Sequence, residues 1–278
     1  MPIRNYEEKP CALAPTSAAQ GATQSESLME VELLTVFNAL LGLREARDAR
    51  PHLYEAELDF LAFAAKRATA SNAQLLQDLW VLYELGEKRG GYFVEFGVCD
   101  GLTLSNTLLL EKSFGWQGAV AEPARVWQDA LRVNRNCYVT DKCVHAADGL
   151  RVVFREADQG ELSTLEGLIG EDFHAPAREG GSQYEVETIS LRRFLEQAGA
   201  PKTIDYLSID VEGGELDIIE SFDFRAYDIA LLTVEHNFSD KRGAIYDTLS
   251  RQGYRRRFNR LSMFDDWYVR PDLLPQGR

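Results

Sequence analysis

The stretch YFVEFGVCDGLTLS, at residues 92–105, combines acids and glycines that can bind a charged ligand. Gly97 and Gly101 lack a Cβ, so a ligand can lie directly on the backbone there. Their G-x-x-x-G spacing lacks the third glycine of a dinucleotide site and the G-K-[ST] of a phosphate loop. Glu95 and Asp100 favour a ligand with an ammonium and a sulfonium, which are the charges of S-adenosylmethionine. An ordinary strand, turn and helix with a solvated acid is the structural alternative.

A further acid, Glu122, ends the next apolar run, WQGAVAEP. It lies 21 residues beyond Gly101, close to the roughly 20 residues at which an acid can accept the ribose hydroxyls of a nucleoside. Acids at two adjacent strand ends therefore predict a nucleoside site. We assign Ser105, near the start of the following helix, to the same site. Asp148 ends another predicted strand and would approach the adenine amino group, unless it is simply a turn acid.

A second group of acids follows two later apolar runs, at residues 204–209 and 226–234. Asp210 comes directly after the first run, and Glu235 and His236 come after the second. The carboxyl ends of adjacent parallel strands meet at one edge of a sheet, where ligands bind. We therefore expect these side chains to face one crevice beside the glycine turn.

These residue types suit methyl transfer to a hydroxyl, which requires alignment of the oxygen and removal of its proton. In one interpretation Asp210, Glu235 and His236 bind Mg²⁺ or Mn²⁺, which lowers the pKa of a bound oxygen. Asn237 is the alternative to the histidine as a ligand. In a second interpretation His236 is a metal-free general base, and in a third the group is structural. Glu212 is assigned to the substrate or metal shell, so the predicted catalytic residues are Asp210, Glu212 and His236.

The elements that must position these residues follow from the hydrophobic pattern. Residues 92–96 form a nearly continuous apolar run, typical of a parallel strand that helices cover on both faces. Residues 156–184 are rich in acids and glycine and lack a regular pattern, which is typical of a binding loop or lid. Helical spacing recurs in four later segments, at residues 102–112, 124–134, 188–199 and 241–252. Four further strands are predicted, at residues 138–147, 150–154, 254–257 and 266–269.

The first 90 residues have a different character. Residues 1–27 contain few large apolar side chains and are predicted to form a mobile tail. Residues 28–90 predict three amphipathic helices, the third opening at Ser71 with Gln74 in the capping-box position. This N-terminal helical extension must cover apolar surface. It either caps the substrate site of a domain at residues 91–278 or pairs with a second subunit in a homo-oligomer.

Four stretches, VEFGVCDGLTLSNT, WQGAVAEP, LSIDVEGGELDIIE and LLTVEHN, resemble in that order the FkbM family of S-adenosylmethionine-dependent methyltransferases. The resemblance implies an α/β fold, the Rossmann-like class I methyltransferase fold, with a doubly wound sheet and a C-terminal antiparallel hairpin. It implies methyl transfer to oxygen, on a sugar, polysaccharide or natural-product acceptor. It also implies cofactor contacts at Glu95, Gly97, Gly101 and Glu122.

Composition limits the remaining function classes. The net charge of −14 disfavours binding to nucleic acid, because the phosphates would be repelled. Four cysteines without a C-x-x-C pair favour reduced thiols and a cytoplasmic location. No apolar run reaches the roughly 18 residues of a membrane span, and no secretory signal is recognisable. A nucleoside-binding oxidoreductase and a non-catalytic S-adenosylmethionine-binding protein remain as alternatives.

Overall fold

Two compact units, Met1–Glu55 and Ala56–Arg278, divide the chain. In the first unit, residues 34–38 and 41 are helical. The predicted tail lies outside the described residues. Both acidic groups belong to the second unit, to which the rest of this description refers. The computed structural model describes residues 34–38, 41, 55–157, 163–165 and 181–273.

The described part of the second unit is built on eleven strands. In chain order they are β1 Tyr92–Phe96, β2 Gln117–Ala121, β3 Tyr138–Thr140, β4 Cys143–Val144, β5 Arg151–Glu156, β6 Thr164–Leu165, β7 Ser182–Ile189, β8 Thr203–Ile209, β9 Asp228–Glu235, β10 Arg255–Arg257 and β11 Asp265–Val269. The central sheet has the order β10-β11-β9-β8-β1-β2-β3. Five neighbouring strands of this sheet, β3, β2, β1, β8 and β9, are parallel to one another. Strand β11 is antiparallel to both β9 and β10. This arrangement confirms the predicted doubly wound sheet and its C-terminal antiparallel hairpin.

Helices cover both faces of the central sheet. They are α1 Glu55–Ala65, α2 Gln77–Glu84, α3 Leu108–Phe114, α4 Gln128–Asn134, α5 Leu191–Gln197, α6 Glu215–Ser221 and α7 Arg242–Arg251. Successive strand residues point to opposite faces. Phe93 and Tyr206 therefore pack with α1 to α4, whereas Val94 and Leu207 pack with α5 to α7. Burial on both sides explains why the strands read as continuous apolar runs.

A second sheet, in the order β4-β7-β5-β6, lies in the connection between β3 and β8. It corrects two expectations. The single strand predicted at residues 138–147 is divided between the two sheets, and part of the region predicted to be irregular forms β7. The helix predicted from residue 188 begins only at Leu191, because Thr188 and Ile189 belong to β7 and Ser190 caps the helix.

The helix predicted from residue 102 also begins later, at Leu108. Leu104 adopts a left-handed conformation with φ 57°, which an α-helix cannot contain. The backbone N–H of Asn106 donates to the buried Glu95 carboxylate at 2.6 Å. Residues 101–107 are thus held as a turn rather than as the first helical turns.

The helices before β1 pack on the central sheet. Phe60 of α1 stacks on Phe258 with 5.3 Å between ring centroids, and Trp80 of α2 stacks on Trp267 at 5.2 Å. The compact unit that includes these packing contacts begins at Ala56.

The third predicted helix, which is α2, begins at Gln77 rather than at Ser71. The Ser71 hydroxyl donates to Asp78 at 2.5 Å, outside any helix. No helix among the described residues is both long and apolar enough to cross a membrane.

Candidate active site

A cavity opens where the parallel strands of the central sheet end. Its walls come from the turns that follow β1, β2 and β8, from the last residue of β9, and from β4, β5 and β6 of the second sheet. The predicted site residues that line it are Gly97, Glu122, Asp210, Glu212 and Glu235. The structure therefore brings together one acid of the predicted nucleoside site and three acids of the second group.

Glu122 lies at the end of β2 and is 5% exposed. Its carboxylate accepts hydrogen bonds from the backbone N–H of Cys99 at 3.0 Å and of Ala124 at 2.8 Å. Burial raises the pKa of this carboxyl to about 7, although the backbone hydrogen bonds oppose that shift. The acid is thus fixed against the glycine turn, at the place predicted for a ribose.

The two glycines of the turn have different roles. A Cβ on Gly97 would lie 2.0 Å from the carbonyl oxygen of Asp210, so only glycine lets β1 end against the end of β8. Gly101 does not line the cavity. A Cβ there would lie 2.7 Å from both Leu131 and Arg135. The predicted cofactor contact at Gly101 is corrected to close packing of the turn on α4 and its C-terminal flank.

Glu95 does not line the cavity either. Its buried carboxylate accepts hydrogen bonds from the Asn106 N–H at 2.6 Å and from the hydroxyls of Ser105 and Thr107 at 3.0 and 2.5 Å. Arg135 lies 3.4 Å from it. Glu95 and Ser105, both predicted to contact the cofactor, instead hold the turn in shape.

Two further predicted cofactor residues, Asp100 and Asp148, also lie off the cavity lining. The Asp100 carboxylate accepts from the N–H groups of Leu102 and Thr103 at 2.9 and 2.8 Å. Asp148 accepts from the Ser190 N–H at 2.7 Å, across to the end of β7. Both are turn acids, the alternative already considered for Asp148.

Asp210, Glu212 and Glu235, hereafter the acid triad, form the opposite end of the cavity. One carboxylate oxygen from each lies within 4.8 Å of the others. Glu235 and Asp210 also share a hydrogen bond, and burial together with the neighbouring carboxylates raises the pKa of both well above the ordinary value. Three carboxylates this close, with Glu212 and Glu235 buried and Asp210 half-buried, require a shared proton or a cation.

The turn between β8 and α6 shapes the acid triad. Glu212 adopts a left-handed conformation with φ 57°, and its carbonyl accepts from the Thr164 hydroxyl at 2.8 Å. The carboxylate of Glu215 accepts from the N–H groups of Val211 and Gly213 at 3.1 and 3.0 Å. Asn237 lies 3.5 Å from the Glu212 carboxylate. Glu215 thus supports the turn, while Glu212 faces the cavity.

His236, predicted as a base or metal ligand, is not brought to the cavity. Its Nδ1 accepts from the Phe238 N–H at 3.0 Å, and its Nε2 lies 3.8 Å from Asp266. The reason is the strand period of two, which turns the residue after Glu235 to the other face. Burial lowers the pKa of His236. The third residue that lies beside Asp210 and Glu235 is therefore Glu212, where we had expected His236.

Other lining residues were not identified from the sequence. Val144 and His145 line the cavity, because the chain leaves the central sheet after β3 and forms β4 of the second sheet. Asn106 lines it beside the turn. The polar triplet Ser-Asn-Thr directly before α3 was a signal for Asn106, but we had placed it inside a helix.

Comparison with protein families matches residues 95–256, more than half of the chain, to the methyltransferase FkbM domain. Among solved structures the chain is similar to the precorrin-6y C5,15-methyltransferase from Geobacter metallireducens GS-15. That similarity has 12% identity and a TM-score of 0.36, over 65% of this chain and 72% of the other. Values this low say nothing of substrate or mechanism. No curated protein matches the chain by sequence.

Proposed function

Because this chain belongs to the FkbM methyltransferase family, we propose that it moves the methyl group of S-adenosylmethionine to a hydroxyl of a sugar, polysaccharide or natural-product acceptor. Methyltransferase activity and use of this donor follow from the family. Transfer to oxygen is supported by one observation, the acid triad in the same cavity as Glu122. Such carboxylates can remove the proton that a hydroxyl must lose.

The cavity suits the methyl donor at its Glu122 end. The Glu122 carboxylate would accept the ribose hydroxyls, and Gly97 lines the same cavity. Val144 and His145 would border the adenine. When bound, the donor would supply a sulfonium methyl, whose carbon an acceptor oxygen attacks in line with the departing sulfur.

At the other end, Asp210 is the residue that we propose as the general base. Asp210 and Glu235 share a hydrogen bond, so one proton can serve both carboxyls while the pair carries a negative charge. Burial and adjacent carboxylates raise the pKa of Asp210, which makes it a stronger base than an exposed aspartate. The hydroxyl proton would pass to Asp210 as the oxygen–carbon bond forms and the sulfur–carbon bond breaks.

The acid triad also fits a divalent cation. Its ligand atoms are hard carboxylate oxygens within 4.8 Å of one another, the donor set that Mg²⁺ and Mn²⁺ prefer. Asp210, Glu212 and Glu235 would hold the ion. When bound, the ion would lower the pKa of an acceptor hydroxyl. His236 is left out of this set, because its ring contacts Phe238 and Asp266 instead.

The test is formation of S-adenosylhomocysteine with a panel of glycan and polyol acceptors, with Mn²⁺ and with a chelator. We expect Asp210→Asn to lower turnover at least about 100-fold, as removal of a general base does. Affinity for S-adenosylhomocysteine should stay within about tenfold, because the isosteric substitution leaves the ribose contacts at Glu122 intact. The exposed Asp217, changed to Asn, is the matched control. Full turnover by Asp210→Asn, or transfer to nitrogen or carbon acceptors alone, would contradict the proposal.

A further inference from the structure

A buried amide beside the glycine turn has one polar atom that no described protein group satisfies. Asn106 is 8% exposed and lines the cavity. Its Nδ2 donates to the Ser208 hydroxyl at 2.9 Å. Its Oδ1 is buried and has no hydrogen-bond partner among the residues that the structure describes. A buried acceptor without a partner destabilises the fold, so Asn106 is poised for a ligand that donates.

The orientation of the amide is set by the strands beneath it. Ser208 of β8 also accepts from the Thr233 hydroxyl of β9 at 3.1 Å. Thr233 in turn shares a hydrogen bond with the Tyr206 hydroxyl at 2.7 Å. This buried chain of hydroxyls receives the amide N–H, so the amide oxygen is the polar atom of Asn106 that is left without a partner among the described residues.

The position of Asn106 indicates which part of a ligand it meets. Glu122 ends β2, on one side of β1, whereas Ser208 lies on β8, on the other side. The cavity extends from Glu122 past the end of β1 to the β8 side, so a nucleoside held at Glu122 would reach Asn106 through its 5′ substituent. Asp210 follows Ser208 by two residues on the same face of β8. This end of the cavity is thus rich in acceptors and favours a cationic donor.

We infer that Asn106 Oδ1 accepts a hydrogen bond from the α-ammonium of the methyl donor's amino-acid tail. The inference rests on the proposed function, since it assumes the nucleoside at Glu122. An ammonium supplies both the N–H that the amide oxygen lacks and a positive charge among carboxylates. Asn106 is then a determinant of affinity for the tail rather than for the nucleoside.

The test compares two ligands that differ in the tail. S-adenosylhomocysteine carries the ammonium, whereas 5′-methylthioadenosine has the same nucleoside and a thioether but no amino acid. Binding of both is measured by titration calorimetry for the wild type, Asn106→Leu, Asn106→Asp and the exposed control Asn259→Leu. Thermal unfolding confirms that each variant is folded.

We expect Asn106→Leu to weaken S-adenosylhomocysteine binding about 10- to 100-fold, the usual effect of losing a hydrogen bond to a charged group. Binding of 5′-methylthioadenosine should change less than about twofold, because the nucleoside contacts remain. Asn106→Asp keeps an acceptor oxygen and should retain most of the affinity. Asn259→Leu should bind both ligands as the wild type does.

Equal weakening of both ligands by Asn106→Leu would overturn the inference alone, as would unchanged binding of both. Unchanged binding with a raised KM for the acceptor would assign Oδ1 to the acceptor hydroxyl and would also overturn it. A wild type that binds neither ligand would instead overturn the proposed function, and the inference with it.

Discussion

At the scale of single residues, the proton shared by Asp210 and Glu235 sets the behaviour of the site. Burial and like charges raise the pKa of both carboxyls. The folded protein therefore holds this proton more tightly than the unfolded chain. A raised folded-state pKa stabilises the protein below the unfolded value, 4.5 for a glutamate, and that stability is lost as the pH rises above it.

We expect Glu235→Gln to reduce this loss. Without a divalent ion, the free energy of unfolding of the wild type should fall more steeply between about pH 5 and about pH 8 than that of the variant. Urea denaturation across this range measures the difference. Glu220→Gln, at an exposed position, is the matched control and should follow the wild type. If the free energy of unfolding had the same pH dependence in the wild type and in Glu235→Gln, Glu235 would have an ordinary pKa.

Individual site residues differed in whether they could be predicted from the sequence. Glu122, Asp210 and Glu235 could be predicted because each ends an apolar strand and such ends converge. His236 was misassigned although the strand period of two already separates it from Glu235. Glu95 was misassigned for another reason. Whether an acid contacts a ligand or holds a turn depends on partners such as Thr107, which only tertiary packing brings to it.

At the scale of elements, the contact between the ends of β1 and β8 joins the two halves of the site. A Cβ on Gly97 would lie 2.0 Å from a backbone atom of Asp210, far inside any tolerated contact. Gly149 has nearly the same φ, 69° against 72°, yet a Cβ there meets nothing within 4 Å. Alanine substitutions at Gly97 and Gly149 therefore distinguish the cost of steric overlap from the cost of backbone strain.

We expect Gly149→Ala to cost about 1–2 kcal/mol, the strain of a left-handed alanine. Gly97→Ala should cost more than about 3 kcal/mol and also abolish turnover, because β1 and β8 must separate. Chemical denaturation and the methyl-transfer assay report the two effects. Equal destabilisation by both substitutions would mean that the β1 end shifts without resistance.

Elements differed in how well the sequence predicted them. β1, β8 and β9 were predicted because burial on both faces makes their apolar runs continuous. β7 was missed because its pattern is mixed, with an exposed first half and a buried second half. The start of α3 was misplaced because the turn before it is held by Glu95, a long-range effect that local periodicity does not contain.

At the scale of the whole molecule, residues that precede the family match belong to the fold. The match begins at residue 95, yet Phe60 of α1 is 2% exposed and lies between Phe258 and Trp267. Helices α1 and α2 therefore complete the apolar layer on one face of the central sheet.

We expect Phe60→Ala to destabilise the unit by about 3–5 kcal/mol, the usual cost of removing a buried phenylalanine. Leu61→Ala, one residue later and 44% exposed, should cost less than about 1 kcal/mol. Thermal and urea unfolding of the two variants provide the comparison. A Phe60→Ala protein as stable as the wild type would indicate that α1 is dispensable to the core.

The close contact of Gly97 with Asp210 has a consequence for turnover. The donor end of the cavity at Gly97 and the acceptor end at Asp210 pack against each other through backbone atoms. We therefore expect the two ends not to move apart as rigid bodies. Thr164 of the second sheet donates to the carbonyl of Glu212 from a separate element, so this hydrogen bond can break without any movement of β1 or β8. We therefore expect conformational change during turnover to occur in the second sheet, while the scaffold under the reacting atoms stays rigid.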